Sequence, residues 1–435
     1  MKHIVLLVAA VCAGNAVQAA DLLSVYQEAR LSDAKYASAR YQLEAGREKL
    51  PQARAGLLPT LTLTGSTTYV NVDATQPVAR TFHYNTNGYS LQLTQPLFRW
   101  QNWVALQQGE IQVKIAEAQF ASAEADLLVR STQAYFDLLN AQDVLNAVSQ
   151  LKKAASEQLQ LSKKSFEVGT VTVTDVNDAQ SRADIAAAQE IAAQNDVNVK
   201  REALRVLTGK EPPVLARLRP GVSLATPLPA DLEAWAQAAQ QGNLDVAGQQ
   251  LNSELAEREV SRARGAHMPT VDAVGSYGRS HAGNGSSGQP SQSKTWQVGL
   301  QASLPLYQGG GVQARVREAV ALSSKAKEDL ENVRRAASQL ARQSYLGVTS
   351  GIAQVKGYEA AVVSSTSALA SNTLGYQVGV KINKDVLDAQ SQLADTQQKL
   401  AKARYDTILA QVRLKQAVGA LTLKDIEEIN ALLER

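Results

Sequence analysis

The chain has 435 residues, and its 44 Lys and Arg residues nearly balance its 41 Asp and Glu residues, giving a net charge of +3. So small a charge for this length gives no basis for nucleic-acid binding. Hydrophobic residues make up 45% of the chain and charged residues 20%, a composition typical of a folded protein with a large buried interface. The length fits two or three ordinary domains, or one unit with an internal duplication.

Residues 1–20 have the pattern of a secretory signal peptide. A short basic start precedes an apolar core over residues 4–11 and a small-residue cleavage site at residues 17–19. The only cysteine, Cys12, lies inside this segment, so we expect neither disulfides nor thiol chemistry in the mature chain.

Long helical patterns dominate the rest of the chain. The first covers residues 21–50, and we expect Pro51 and the Leu58-Pro59 step to break it. The next begins near Gln101, and residues 110–168 contain neither proline nor glycine. A helix continuous over residues 101–168 would extend roughly 100 Å. It would be too long for an ordinary globular domain, so the pattern favours a coiled coil or a tube.

Between these helical patterns, apolar and polar residues alternate. Residues 60–70 have a strand pattern in which Leu61 and Leu63 alternate with threonines. Tyr89, Leu91 and Leu93 alternate with polar residues before Pro96, which we expect to end the second strand. Such alternation is typical of membrane-barrel strands, with one face toward lipid and the other toward the lumen. No later apolar run is long enough to cross a bilayer as a helix.

The second half of the chain repeats the first at an offset of about 210 residues. Strand patterns recur at residues 270–279 and 296–304, separated by a Gly- and Ser-rich stretch, residues 280–293, that we expect to be a loop. We therefore divide the mature chain into a first repeat, a Pro-rich linker, a second repeat and a C-terminal tail. These segments are residues 21–209, 210–230, 231–419 and 420–435.

The clearest copies of the repeat are residues 166–181 and 376–391. In each, a helix is predicted to end at a glycine, and a second helix restarts with an aspartate in its first turn. We interpret these segments as the tips of two helical hairpins. Asp385 and Asp388 then lie on one helix face, since they are three residues apart.

Two functions other than a membrane channel fit part of the sequence. Catalysis is disfavoured because the histidines of the mature chain, His83, His267 and His281, have no metal-ligand or nucleophile partner at a useful spacing. We accordingly expect no catalytic site, no metal site and no cofactor. Leu393 and Leu400 belong to a heptad pattern that fits a periplasmic coiled-coil tether without a pore, but a tether leaves the alternating strands unexplained.

Four amphipathic strands are too few to close a membrane barrel, for which about eight are needed. Unpaired strand edges in lipid cost several kcal/mol for each unsatisfied group. We therefore expect a mixed α and β membrane protein. Three copies would form a 12-stranded β-barrel, continued by a long α-helical barrel.

Several motifs carry a family resemblance that spans the mature chain. They are Leu-Gln-Leu-Thr-Gln-Pro at 91–96, Leu-Pro-Leu-Tyr-Gln-Gly-Gly at 304–310, Ala-Tyr-Phe at 134–136, and Val-Gly-x5-Asp-Val at 168–176 and 378–386. With these motifs the chain resembles the TolC family of trimeric outer-membrane export channels, including the outer-membrane components of type I secretion. The resemblance implies a homotrimeric channel-tunnel in the outer membrane of a Gram-negative bacterium, with a long periplasmic extension.

The resemblance also implies a gate at the hairpin tips. Asp385 and Asp388 match an aspartate pair that rings the constriction, where three copies should make the mouth cation-selective. Asp178 stands where the family usually has an amide and would add negative charge. As an alternative, Asp175 and Asp385 would serve only as helix N-terminal caps.

A lock is implied beside the gate. Tyr376, Thr174 and Asp175 match residues that bond neighbouring hairpins in the family. Lys381 replaces the family's arginine, keeping the charge but not the bidentate fork.

Partners follow from the same resemblance. A periplasmic adaptor protein is expected to dock at the two tips, represented by Val168, Gly169, Val378 and Gly379. An ABC or RND-type inner-membrane pump would complete the system, and outer-membrane lipid would surround the strands.

Overall fold

The computed structural model describes residues 20–75, 79–284 and 289–434. The predicted signal peptide lies almost entirely outside these residues. Within the described ranges, no helix combines the length and the apolar character needed to cross a membrane.

The described chain consists of long helices and four strands. The helices of the first half are α1 (Leu22–Ser32), α2 (Ala34–Arg47), α3 (Lys49–Ala55), α4 (Trp100–Glu167) and α5 (Val173–Thr208). Those of the second half are α6 (Leu232–Gly242), α7 (Leu244–Arg264), α8 (Gly311–Gln377), α9 (Asn383–Ala417) and α10 (Leu423–Asn430). The strands are β1 (Thr60–Ala74), β2 (Arg80–Phe98), β3 (Thr270–Ala282) and β4 (Ser291–Ser303).

The long helix predicted to begin near Gln101 is confirmed, since α4 is continuous over 68 residues. The expectation that Pro51 ends a helix over residues 21–50 is wrong. The chain bends at Asp33, and Pro51 lies in the first turn of α3. Proline is tolerated there because the first backbone N–H groups of a helix have no intrahelical acceptor.

The four strands form one antiparallel sheet in the order β1-β2-β3-β4. Directly opposed residues of such a sheet point to the same face, and here they form apolar and polar rows that alternate along the strands. One apolar row is Leu63, Leu91, Tyr277 and Trp296; the polar row beside it is Thr62, Gln92, Ser276 and Gln297. The sheet therefore has one apolar face and one polar face, as the alternation predicted.

Two predicted strand boundaries are wrong, the end of β2 at Pro96 and the bounds of the loop between β3 and β4. β2 does not end at Pro96 but continues to Phe98, with a shift of register between the two residues that accommodates the missing N–H of proline. The predicted loop over residues 280–293 is shorter than expected. Ladder pairs such as His281–Gln292 extend β3 and β4 into it, because antiparallel pairing satisfies the backbone groups of these polar residues.

The chain forms two compact units, and each takes residues from both halves of the sequence. One unit contains the described parts of Met1–Ala39, Ala121–Leu244 and Arg334–Arg435. The other contains the described parts of Arg40–Phe120 and Asp245–Val333, including the sheet. In the sheet unit, Arg99 at the start of α4 forms a bidentate ion pair with the buried Asp272 of β3, at 2.6 and 2.8 Å.

The core of the first unit is aromatic and aliphatic. Phe136 of α4 is fully buried, and its ring stacks on Tyr405 of α9 at 5.4 Å between centroids. The Tyr405 hydroxyl donates to Asp143 at 2.6 Å. The neighbouring Tyr135 donates its hydroxyl to the backbone carbonyl of Ala216, at 2.7 Å. Helices from both sequence halves and the linker are thus joined in one core.

A charged cluster ties the start of the chain to α4. The guanidinium of Arg130 donates to both oxygens of the buried Asp33, at 2.8 and 3.0 Å, and its Nε donates to Asp126. Asp33 also accepts the backbone N–H of Tyr36 at 2.7 Å, which caps α2. The hydrogen bond from Arg130 lowers the pKa of Asp33 below its ordinary value.

Replacing Asp33 by alanine should destabilise this unit by about 2 kcal/mol, because Arg130 loses two charge-assisted hydrogen bonds and α2 loses its cap. The depressed pKa means that the stabilisation is present above the unfolded pKa of about 3.9 and is lost as pH falls through the folded pKa. Thermal unfolding in detergent at pH 7 and at pH 3 measures both effects. The matched control is Lys325→Ala, which removes an exposed ion pair with Asp329 and should change little. Equal melting temperatures for the two variants at pH 7 would contradict this assignment.

Candidate functional site at the helical tips

The two tip turns, residues 168–172 and 378–382, have the same backbone geometry. Gly169 and Gly379 both have φ of +78°, the left-handed conformation in which a side chain is strained. In each turn, the next backbone N–H reaches back to the last helical turn at 2.9 Å, from Thr170 to Ser165 and from Val380 to Gly375. Both long helices therefore end in a Schellman motif, as the glycine pattern predicted.

The first tip restarts as a capped helix. Asp175 accepts hydrogen bonds from the backbone N–H of Thr172 at 2.9 Å and from its hydroxyl at 2.8 Å. In return, the backbone N–H of Asp175 donates to the Thr172 hydroxyl at 3.3 Å. This reciprocal arrangement is a capping box. The Asp175 carboxylate is thus engaged within its own hairpin, which agrees with the capping alternative.

The second tip restarts differently. Its N-cap is Ile382, whose side chain accepts no hydrogen bond. Asp385 instead lies 3.5 Å from the ammonium of Lys381, four residues earlier. The Lys381 side chain crosses over Gly375, where an added Cβ would come within 2.7 Å of Lys381 Cγ. Two of the predicted site residues, Lys381 and Asp385, are therefore in contact.

Asp388 pairs with a residue of the other hairpin. The guanidinium of Arg182, on α5, donates to the Asp388 carboxylate on α9 at 2.5 Å. The side chains are 30% and 52% exposed, respectively, so the pair remains in contact with water. Each of the two predicted gate aspartates thus has a basic partner in the same chain.

Beneath these charges, α4, α5 and α9 pack through small residues. The buried cluster consists of Ala155, Leu159, Ala179, Ala183, Ala186 and Leu387. A groove of about 530 Å³ runs along the three helices, and both Arg182 and Leu387 line it. Alanines allow the helices to approach closely, which places Arg182 of α5 within reach of Asp388 of α9.

One polar contact interrupts this apolar packing. Asn383, the first residue of α9, is only 4% exposed and donates its side-chain N–H to the hydroxyl of Ser162 on α4, at 2.8 Å. The Asn383 amide oxygen and the Gln158 side-chain nitrogen are buried nearby on the tip helices, and neither has a partner among the described residues. The start of α9 is therefore held to α4 by a polar link that is incompletely satisfied.

The remaining predicted site residues are not brought together within one chain. Tyr376 is half-buried in the last turn of α8, and Thr174 and Asp178 are exposed on α5. Among the described residues, none of these three side chains has a hydrogen-bond or ion-pair partner. Val168 and Val378 are exposed by 74% and 66%, so each tip presents an apolar side chain to the surroundings.

Arg182, Asn383 and Ser162 were missed in the sequence analysis. Arg182 lies four residues after Asp178, a spacing that indicates a pair within one helix, yet its partner is Asp388, 206 residues away. Asn383 stands at the start of a helix, where an asparagine is typical of a local cap, so its position gives no signal of a buried partner on another helix. Neither partner can be identified without knowing which helices are neighbours.

Comparison with known proteins places this geometry in a family. The profile described as "Outer membrane efflux protein" matches residues 25–210 and 235–420. The chain belongs to the outer membrane efflux protein family.

Individual relatives agree with the family assignment. "Outer membrane protein TolC" of Escherichia coli strain K12 is 35% identical over 427 residues, covering 96% of this chain and 86% of the relative. "Proteases secretion protein PrtF" of Dickeya chrysanthemi is 29% identical and covers 99% of this chain and 95% of the relative. Among solved structures, the Campylobacter jejuni CmeC outer membrane channel has a TM-score of 0.81 at 18% identity, covering 95% of this chain and 90% of that one.

Family membership confirms the resemblance drawn from the motifs. The chain is an outer-membrane export channel of a Gram-negative bacterium with a periplasmic extension, and it is not an enzyme. The tether without a pore, which was the alternative, is disfavoured by the same membership.

The polar link at the start of α9 leads to a testable expectation. Asn383→Ala removes the hydrogen bond to Ser162, and local opening of the tip should become about 1 kcal/mol easier. Hydrogen exchange of a peptide covering residues 378–390 should then be about fivefold faster. Gln392→Ala is the matched control, since Gln392 is an exposed amide on the same helix. Equal exchange rates in the two variants would show that the link does not hold the tip.

Proposed function

We propose that three copies of this chain form one export channel, with a 12-stranded barrel made from three four-stranded sheets. The observation that carries the proposal is the sheet itself. It has one apolar and one polar face, and its outer strands, β1 and β4, are edges within a single chain. In lipid those edges must be paired, because unsatisfied backbone groups there cost several kcal/mol each.

The apolar side chains on these edge strands support the same arrangement. Leu61 and Leu63 of β1 are 64% and 70% exposed, and Val298 and Leu300 of β4 are 80% and 74% exposed. A single chain in water would leave this face uncovered, whereas lipid covers it. Trp100 and Trp103, at the strand-to-helix junction, fit the aromatic belt of a membrane interface.

We further propose that residues 21–209 and 231–419 are two structural repeats, joined by the linker 210–230 and followed by the tail 420–435. The two halves have corresponding elements: short helices, a hairpin, a long helix, a tip turn and a returning helix. The twelve helical segments of the trimer would continue the barrel wall as an α-helical tube in the periplasm. The tail would pack on the linker, where the backbone N–H of Glu434 donates to the carbonyl of Arg217 at 2.7 Å.

The channel would act in a tripartite system with a periplasmic adaptor and an inner-membrane pump of the ABC or RND type. Relatives named for protease secretion and for efflux support cargo of either class, unfolded secreted proteins or drugs. The adaptor would dock at the tip turns, where Val168 and Val378 are exposed beside Gly169 and Gly379.

The tips would also be the gate. Asp385 and Asp388 would ring the constriction, with Asp178 adding charge nearby. Tyr376 and Lys381 would lock onto Thr174 and Asp175 of the neighbouring hairpin. The Tyr376 hydroxyl supports this role, because a half-buried phenol with no hydrogen-bond partner among the described residues is available to another chain.

Single-channel recording in planar bilayers tests the proposal. The purified protein should run as a detergent-resistant trimer from the outer-membrane fraction and give small, cation-selective openings. A monomer that produces no openings, with or without a loosened gate, would contradict the channel.

The ring can be tested by removing its charge. Asp385→Ala combined with Asp388→Ala leaves Lys381 and Arg182 without their partners at the constriction. Cation selectivity and block by multivalent cations should weaken by about tenfold, because the mouth loses six carboxylates in the trimer. The matched control is Asp395→Ala with Asp406→Ala, two exposed aspartates further along α9 that pair with neighbouring lysines. Reversal potentials that are the same for the two double variants would exclude the ring.

The lock can be separated from capping at Asp175. Asp175→Asn keeps an oxygen that accepts the Thr172 hydrogen bonds, whereas Asp175→Ala loses both the cap and the charge. If Asp175 also locks the gate, both variants should raise the resting conductance, and Tyr376→Phe should do the same. If only Asp175→Ala has an effect, the residue is a cap and the lock assignment is wrong.

A further inference from the structure

The ion pair between Arg182 and Asp388 changes the electrostatics expected at the tip. Sequence matching assigns two carboxylates per chain to the constriction. In the structure, however, Lys381 accompanies Asp385 at 3.5 Å and Arg182 accompanies Asp388 at 2.5 Å. A carboxylate with a cation in contact attracts a passing ion much less than a bare one, since the two fields nearly cancel beyond a few ångströms.

The two basic partners are not equivalent. Lys381 lies four residues before Asp385 in the same hairpin, and its flexible side chain is half exposed. Its ammonium is 3.5 Å from the Asp385 carboxylate, a longer distance than that between Arg182 and Asp388. Arg182 belongs to the other hairpin and has a choice of acceptors, because Asp178 lies one turn before it on α5. It donates to Asp388 instead and leaves Asp178 without a partner among the described residues.

Packing fixes this choice. Ala179, Ala183 and Ala186 bring α5 against α9, where Leu387 is buried next to Asp388. The Arg182 side chain lines the groove along these helices, and its guanidinium lies on the α9 side of the tip. The contact therefore depends on the fit between the hairpins and not on a chance surface approach.

We propose that Arg182 is a specificity-determining residue of the channel: it cancels the charge of Asp388 and so sets how strongly the mouth selects cations. The inference rests on the proposed gate at the tips. Its functional consequence is a mouth that is less selective for cations, and less readily blocked by multivalent cations, than a ring of six bare carboxylates would be. Such a mouth would also obstruct anionic cargo less.

The test is bilayer recording of Arg182→Gln with potassium chloride gradients and added cobalt hexammine as a multivalent probe. Removing three guanidinium groups from the trimer should raise the cation-to-anion permeability ratio about threefold and tighten block by about tenfold. The matched control is Arg205→Gln, which removes an exposed arginine paired with Glu202 further along the same helix. An Arg182→Gln channel that matches this control would overturn the proposal.

Two further variants separate charge from structure. Arg182→Lys keeps the charge but not the fork, and should retain wild-type selectivity. Arg182→Gln with Asp388→Asn removes both charges and should return selectivity to near the wild-type value. If Arg182 only held the hairpins together, the double variant, which also lacks the ion pair, would behave like Arg182→Gln, and the proposal would be wrong.

The outcome also distinguishes failure of this inference from failure of the proposed function. Absence of openings from wild type and from Asp175→Ala would reject the gated channel itself. Openings whose selectivity does not depend on Arg182 would reject only this inference. If Arg182→Gln does not assemble, Asp388→Asn serves instead. It should lower the cation-to-anion ratio about threefold, and an unchanged ratio would overturn the proposal.

Discussion

Satisfying backbone hydrogen bonds at the edges of the sheet is the constraint on which the rest of this molecule depends. The described part of the chain supplies four antiparallel strands with an apolar face, and within it β1 and β4 each have one side without a strand partner. Water can satisfy such edges, but lipid cannot. The family to which the chain belongs works in the outer membrane, so the sheet has to be completed by other strands. Pairing these edges with strands of further chains meets this requirement, and the three-chain assembly proposed above is one arrangement that does so.

The helical part meets a different requirement. Most helical stability in proteins comes from packing of one helix face, so α4 and α8 need a partner surface along their length. Near the tips, alanines provide that surface by letting α4, α5 and α9 approach closely. Because the helices lie close together, the polar side chains between them are brought into contact and form hydrogen bonds and ion pairs with each other. Ser162 with Asn383 and Arg182 with Asp388 are the results.

These contacts alter the interpretation of the tip. Aspartates that appear as a bare acidic ring in a sequence are accompanied by cations in the folded chain. Asp175, assigned to a lock by resemblance, is engaged in a capping box with Thr172. One carboxylate can serve both as a cap and as a lock, because it has several lone pairs. The hydrogen bonds from Thr172 leave fewer of these lone pairs for a residue of a neighbouring hairpin. The charge at the tips is therefore a property of helix packing as much as of composition.

Local patterns in the sequence determined the elements of this protein. Period-2 alternation gave the two faces of the sheet, and the glycines at 169 and 379 gave the tip turns, because these features depend on residues close together in the chain. Boundaries at Pro51 and Pro96 were misjudged, since proline is excluded only where its missing N–H would be needed. The partner of Arg182 was decided by tertiary structure alone. Sequence spacing offered Asp178, but the packing of α5 on α9 placed Asp388 within reach, and an ion pair forms with the acceptor that the fold brings close.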